Sequence, residues 1–211
     1  MSGAQTSCRC CGTCCRKGGP VLHKLDLPLI QSGYIKRSNI VLLRPGEPVN
    51  DNITGKIKFL SVEMFKLRGK SESNWTCTFL DPETNLCRIY SRRPRECRLL
   101  KCWDTKEIEA EYGKNLLSLK DILTEDSGMR ELVDFHRSQC PLGKAIDLVK
   151  RATDKTPGDR QALHDLIAFD KRFREQFALR TAGGLEVTDF YFGRPLEKII
   201  PQLRRSLQLL A

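Results

Sequence analysis

The chain has 211 residues, of which 40% are hydrophobic and 29% charged, and its formal net charge is +10. This is the balance of an ordinary globular chain with room for one domain or two small ones. No apolar run approaches the ~18 residues that a membrane span needs, and Met1 to Cys8 has neither the basic nor the apolar region of a secretory leader.

A chain without leader or span is expected in the cytoplasm, with no membrane partner and its thiols reduced. Ten cysteines there favour metal ligation over disulfides. The positive charge admits nucleic acid as a weaker partner class. Metal-bound thiolates would offset much of that charge, because ligating cysteines are deprotonated.

Five cysteines fall between Cys8 and Cys15. Gly12, Gly18 and Gly19 give this loop the freedom to turn its side chains inward. A short helix is expected after Asp26, with Asp26 as its cap, Pro28 in its first turn and Gly33 as its stop. Residues 39–44, 57–60, 62–67 and 75–80 read as short strands. Pro45-Gly46, Asn50-Asp51-Asn52 and Asp81 to Asn85 supply turns between them.

From about Asp104 the pattern becomes helical. Asp104 and Glu107 have capping-box spacing. Residues 130–139 form one helix, which Cys140-Pro141 breaks, and Leu142, Ile146 and Val149 mark the next. Pro157 opens the longest, with Leu163, Leu166, Ile167, Phe173 and Phe177 as its apolar stripe. A last helix begins near Pro195 with Leu196, Ile199, Ile200, Leu203, Leu207 and Leu210 on one face, and Pro201 is expected to kink it. The expected fold is α+β. Residues 1–104 make a cysteine-rich, metal-stapled half with short strands, packed against a helical region at 105–211.

Cys8, Cys11 and Cys14 follow the C-x2-C-x2-C spacing of a ferredoxin-type run, which also contains the C-x2-C pairs of zinc sites. Cys15 adds a fourth sulfur. In an extended chain Cys14 and Cys15 point apart, so either a turn brings both round or each serves a different metal. Cys77, Cys87, Cys97 and Cys102 follow at near-regular intervals.

These pieces resemble the YkgJ-type cysteine-cluster family, a zinc- or iron-chelating domain with the signature C-x2-C-x2-C-C. The later pieces of that pattern are a Cys before Phe-Leu, a Cys before Ile-Tyr and Arg-Pro-x2-Cys-Arg. The resemblance covers roughly residues 8–104. It implies Cys8, Cys11, Cys14, Cys15, Cys77, Cys87 and Cys97 as metal ligands, with Cys102 an additional one. Iron–sulfur is favoured over zinc on the ligand spacing.

The expected function is a metal-binding protein with a structural or electron-carrying centre. The family also includes a flagellin lysine methylase, so a cluster-dependent protein-modifying enzyme such as a methyltransferase is the alternative. No Gly-rich loop for a nucleotide-like cofactor and no catalytic residue is identifiable.

Cys10 lies off the motif and reads as a bystander. Cys140 reads as a core thiol at a helix end. His136, one helical turn before it, could share a metal with Cys140, but a satisfied histidine is the simpler reading. His23 and His164 have no partner motif. Arg92, Arg93, Arg95 and Arg98 read as compensation for thiolate charge before phosphate contact. Tyr90 and Trp103 flank ligands and are expected to shield the metal.

Overall fold

The computed structural model describes residues 5–51, 53–71, 74–151, 157–181 and 183–210. Asn52, expected in a turn, and the side chain of Leu210 lie outside what is described. The fold is α+β, with short strands in the N-terminal half and a mostly helical C-terminal half. Among the described residues no helix is long and apolar enough to cross a membrane. The chain packs as two compact units, one of residues 1–40 with 64–118, the other of residues 41–63 with 119–211.

The first unit holds helices α1 (Thr13–Arg16), α2 (Leu27–Gln31), α3 (Arg95–Leu99) and α4 (Lys106–Glu111), and strand β4 (Met64–Leu67). Its spine is the extended segment around Val21 and Leu22. Leu22 N–H donates to Phe65 O at 2.8 Å, Leu67 N–H to Pro20 O at 3.0 Å, and Leu117 N–H to Leu22 O at 3.0 Å. Leu22, Phe65, Leu67 and Leu117 are all buried there, each worth about 1.5–3 kcal/mol on removal from water. Gly19 is required at the edge of this spine, since a Cβ there would lie 2.5 Å from Leu67 O.

In the second unit, β2 (Pro48–Asn50) pairs antiparallel with β3 (Ile57–Phe59), with Val49 opposite Lys58. Asp51 makes their turn by accepting Ile53 N–H at 2.8 Å and Thr54 N–H at 3.3 Å. Helices α5 (Gly128–Gln139), α6 (Leu142–Arg151), α7 (Pro157–Arg180), α8 (Thr188–Phe192) and α9 (Leu196–Leu210) complete the unit. Leu142, Leu148 and Val149 of α6, Leu163 and Leu166 of α7, and Leu196, Ile199, Ile200 and Leu203 of α9 form one buried core. Periodic apolar stripes on three helices can hide only against one another. Pro201 lies inside α9.

Several elements differ from expectation. Strand β1 is Ile40–Leu43, close to its expected place. Residues 75–80 form turns and isolated bridges, Gly69 with Cys77 and Leu80 with Cys87, in place of a strand. The buried side chains there, Cys77 and Leu80, are three residues apart, and Trp75 is 51% exposed, so the alternation does not mark one face. The box at Asp104 is half made. Asp104 Oδ1 accepts Lys106 N–H at 3.2 Å, while Glu107 pairs with Lys101. Asp26 precedes α2, but its carboxylate turns away from that helix and takes His23 N–H and Arg95 N–H, each at 2.9 Å.

Candidate metal centre

The first motif folds into a single turn. Gly12, at φ 71°, starts α1 with its carbonyl accepting Arg16 N–H at 2.9 Å. This left-handed conformation favours glycine, and an added Cβ would also meet Arg16 Nη1 at 2.9 Å. The turn sets Cys14 Sγ 4.0 Å from Cys15 Sγ, so both sulfurs come round to one place. Arg16 locks the loop from outside, donating to Cys11 O at 2.7 Å and to Asn85 Oδ1.

Three distant segments then close on this turn. Cys77 N–H donates to Cys15 O at 2.8 Å, which fixes Cys77 beside the first motif. Cys87 is tied to the Cys77 segment by its bridge with Leu80. Cys97 is carried by α3, whose first N–H, that of Arg95, is capped by Asp26. Arg93 holds the same turn by donating to Cys97 O at 3.1 Å and Tyr90 O at 3.0 Å, with its guanidinium 4.0 Å from the centre of the Tyr90 ring.

The electrostatics show what these thiols lack. Burial, then the neighbouring Cys77, Cys87 and Cys14, push the Cys97 thiol far above its ordinary range. Burial also raises Cys77 and Cys87. Cys15 is raised because it donates its proton to Cys14, and accepting that hydrogen bond lowers Cys14 to about 6. A hydrogen bond with Thr13 lowers Cys11. Burial and mutual repulsion therefore oppose ionisation of Cys15, Cys77, Cys87 and Cys97, while Cys14 ionises readily beside them. A thiophilic cation removes both obstacles at once, so the donor set fits zinc or iron.

Two cations already stand by. Arg93 acts favourably on Cys14 and Cys87, and Lys66 on Cys77. Burial holds the Lys66 amine below its ordinary range, and it donates to Gly19 O. Of the other arginines, Arg95 grips Glu111 through two bonds of 3.0 and 3.1 Å, and Arg92 lies over Tyr34. No pattern in the sequence pointed to Lys66, and Asp26 was marked only as a helix cap. Arg16 carried one faint signal, its place directly after the paired cysteines.

Cys8 and Cys11 are exposed in the same loop, and Cys102 is exposed beside Gln5, whose Nε2 lies 3.7 Å from its sulfur. Tyr90 and Trp103 are 42% and 37% exposed. His23 is buried between Glu96 at 3.5 Å and Glu111 at 3.6 Å.

Cys140 belongs to the second unit and is buried at the end of α5. His136, Cys140 and Asp170 have ligand atoms within 4.8 Å of one another. Most of their polar atoms are nevertheless engaged. His136 Nε2 donates to Asp170 Oδ1 at 2.7 Å, and Cys140 Sγ reaches His136 O at 3.2 Å. Arg174 Nε also donates to Asp170 Oδ1 at 2.8 Å, and Leu196 N–H to Oδ2 at 2.7 Å. An ion here would have to displace a guanidinium, so the group is a buried hydrogen-bond network in which His136 is paired through Nε2 while its buried Nδ1 has no partner among the described residues.

Thiols drawn from separated segments around one turn define a metal-chelating cysteine cluster. The chain belongs to the CxxCxxCC family, described as "Putative zinc- or iron-chelating domain", which it matches over residues 7–115. It is similar to an uncharacterized protein of Methanocaldococcus jannaschii, with 31% identity over 99 residues, 47% of this chain and 46% of that protein. The chain thus spans about half the length of the curated relative it matches. No solved structure matches it.

Proposed function

We propose that the cluster holds an iron–sulfur centre that serves as an electron carrier or a structural staple in a reducing cytoplasm. Residues 1–104 are the metal-binding region of this reading, and Cys8, Cys11, Cys14, Cys15, Cys77, Cys87, Cys97 and Cys102 are its ligands. The observation that supports it is the gathering of the separated Cys77 and Cys87 segments on the turn that sets Cys14 Sγ 4.0 Å from Cys15 Sγ, through Cys77 N–H to Cys15 O at 2.8 Å and the Leu80–Cys87 bridge. The C-x2-C-x2-C run supports iron–sulfur. When bound, such a centre supplies one-electron chemistry or a cross-link. The residues of the chain hold it, and Arg93 and Lys66 balance its charge.

One observation favours zinc as a second reading. The 4.0 Å between Cys14 Sγ and Cys15 Sγ is close to the edge of ~3.8 Å for a tetrahedron with metal–sulfur bonds of ~2.3 Å. Purification without oxygen separates the two. The expected result is a brown protein containing iron and acid-labile sulfide. A colourless protein with stoichiometric zinc and no iron overturns the iron–sulfur reading, because a filled d shell gives no visible absorption.

A further inference from the structure

The net charge of the chain is unevenly placed. Residues 1–40 and 64–118 hold 17 of the 36 lysines and arginines but 9 of the 26 carboxylates, so eight of the ten excess positive charges fall in the cysteine-bearing unit. The carboxylates there are largely spent. Asp26 is buried, Asp81 pairs with Arg88, Glu107 with Lys101 and Glu111 with Arg95, and Glu96 accepts Val21 N–H at 2.8 Å. Among the described residues no carboxylate pairs with Lys17, Lys70, Arg92 or Arg98, and all four are exposed. A divalent metal held by four thiolates carries a net charge of about −2, so the loaded unit stays basic.

Two exposed aromatic rings lie among these cations. Trp75 is 51% exposed and Tyr90 42%. The backbone at Trp75 touches that of both lysine-bearing segments. Lys70 N–H donates to Thr76 O at 2.9 Å, and a Cβ on Gly18, which follows Lys17, would lie 3.7 Å from Trp75 O. The Tyr90 ring is held by the Arg93 guanidinium 4.0 Å from its centre, two residues before the exposed Arg92. Both rings are stitched to the turn of the first motif. Trp75 is two residues before Cys77, whose N–H donates to Cys15 O, and Tyr90 N–H donates at 3.1 Å to the carbonyl of Cys87, which bridges Leu80.

We propose that this surface of the cysteine-bearing unit binds single-stranded nucleic acid, with Lys17, Lys70, Arg92 and Arg98 on backbone phosphates and Trp75 and Tyr90 as platforms for unpaired bases. Cations interleaved with exposed rings match the alternation of phosphate and base along a single strand. A duplex hides its base faces in its own stack, so it would use the cations alone. An acidic protein would also satisfy the cations but would leave the exposed rings without a role. The inference goes beyond the metal-centre reading and holds for either metal.

The test uses the metal-loaded full chain and fluorescein-labelled oligo(U) and oligo(dT) of about 20 nucleotides, read by anisotropy at increasing salt, with a duplex of equal length and a poly-glutamate peptide as competitors. Both single strands should bind. The logarithm of the association constant should fall with the logarithm of salt at a slope of about −2.8, four phosphates at about −0.7 each. Lys17→Ala and Lys70→Ala should each make that slope shallower by about 0.7. Trp75→Ala should weaken binding about fivefold or more with the slope unchanged, because stacking releases no counterions. Unaltered metal content and circular dichroism show that a variant is folded. If Trp75→Ala is not, Tyr90→Ala and the lysine variants decide. Poly-glutamate competing as well as the single strands would assign the surface to an acidic protein and overturn the proposal. A slope untouched by the lysine variants, or no binding at about 50 mM salt, overturns it too. Iron and sulfide content after anaerobic purification reports separately on the iron–sulfur reading.

Discussion

Replacing Asp26 by alanine should destabilise the first unit although Asp26 is no ligand. The side chain is 0% exposed, and its two oxygens take His23 N–H and Arg95 N–H at 2.9 Å. Each is a hydrogen bond to a charged acceptor, worth about 1.5–3 kcal/mol, and its loss strands a donor away from water. The expected cost is about 3–6 kcal/mol. Asp26→Asn should recover only part of it, because its amide offers one acceptor oxygen and turns a donor toward the other N–H. Both tryptophans, Trp75 and Trp103, belong to the first unit, so their emission during urea unfolding reads that unit selectively. With a urea slope of about 1–3 kcal/mol per molar, the midpoint of metal-loaded protein should fall by more than about 1 M. Metal should also leave faster, since α3 carries Cys97. Coincident midpoints for the Asp26→Ala and unmodified proteins would refute the assignment of Asp26 as the clamp on α3.

Chelation should lower amide protection first in the cysteine-bearing segments, while the core of α6, α7 and α9 keeps its own; uniform loss along the chain would contradict this order. The two buried histidines should titrate in opposite senses. Burial lowers His136, so below about pH 6.5 the unfolded chain binds the extra proton and the second unit loses stability as pH falls through that value. The carboxylate of Glu96 raises His23, so its contribution is complete below about pH 6.5 and is lost as pH rises through the folded value. Imidazole chemical shifts followed against pH check both directions, and His136→Gln should flatten the acid limb of the second unit's stability.

The legibility of this chain in its sequence followed the range of the interactions. The first motif was legible because its spacing is local, and the stripes of α7 and α9 because a repeated period survives single exceptions. The 75–80 segment misled, because Thr76 and Thr78 alternate with larger residues while the buried positions are Cys77 and Leu80. Helix α8 was missed. Phe190, Tyr191 and Phe192 are all buried, so it shows no polar face and no period. Asp26 and Arg95 are 69 residues apart and His136 and Asp170 are 34 apart, so no periodic pattern could pair them. Asp26 beside Pro28 is ordinary cap chemistry, and only the fold shows its carboxylate spent on α3.

Residues 41–63 leave the first unit and belong to the second, and this matters to anyone who excises the family segment. A fragment cut at 7–115 keeps every cysteine of the cluster but removes the helices on which its middle depends. Glu47, fully buried, would lose Arg194, which holds it at 2.7 Å. Phe59 would lose the core it packs against, and Gly46 would lose Ile146, which sits so close that a Cβ would lie 2.8 Å from it. Such a fragment would expose an adhesive insert in the middle of an otherwise intact chelating fold. Insolubility after that cut would therefore report the orphaned insert, and shortening residues 41–63 is the change that should restore solubility.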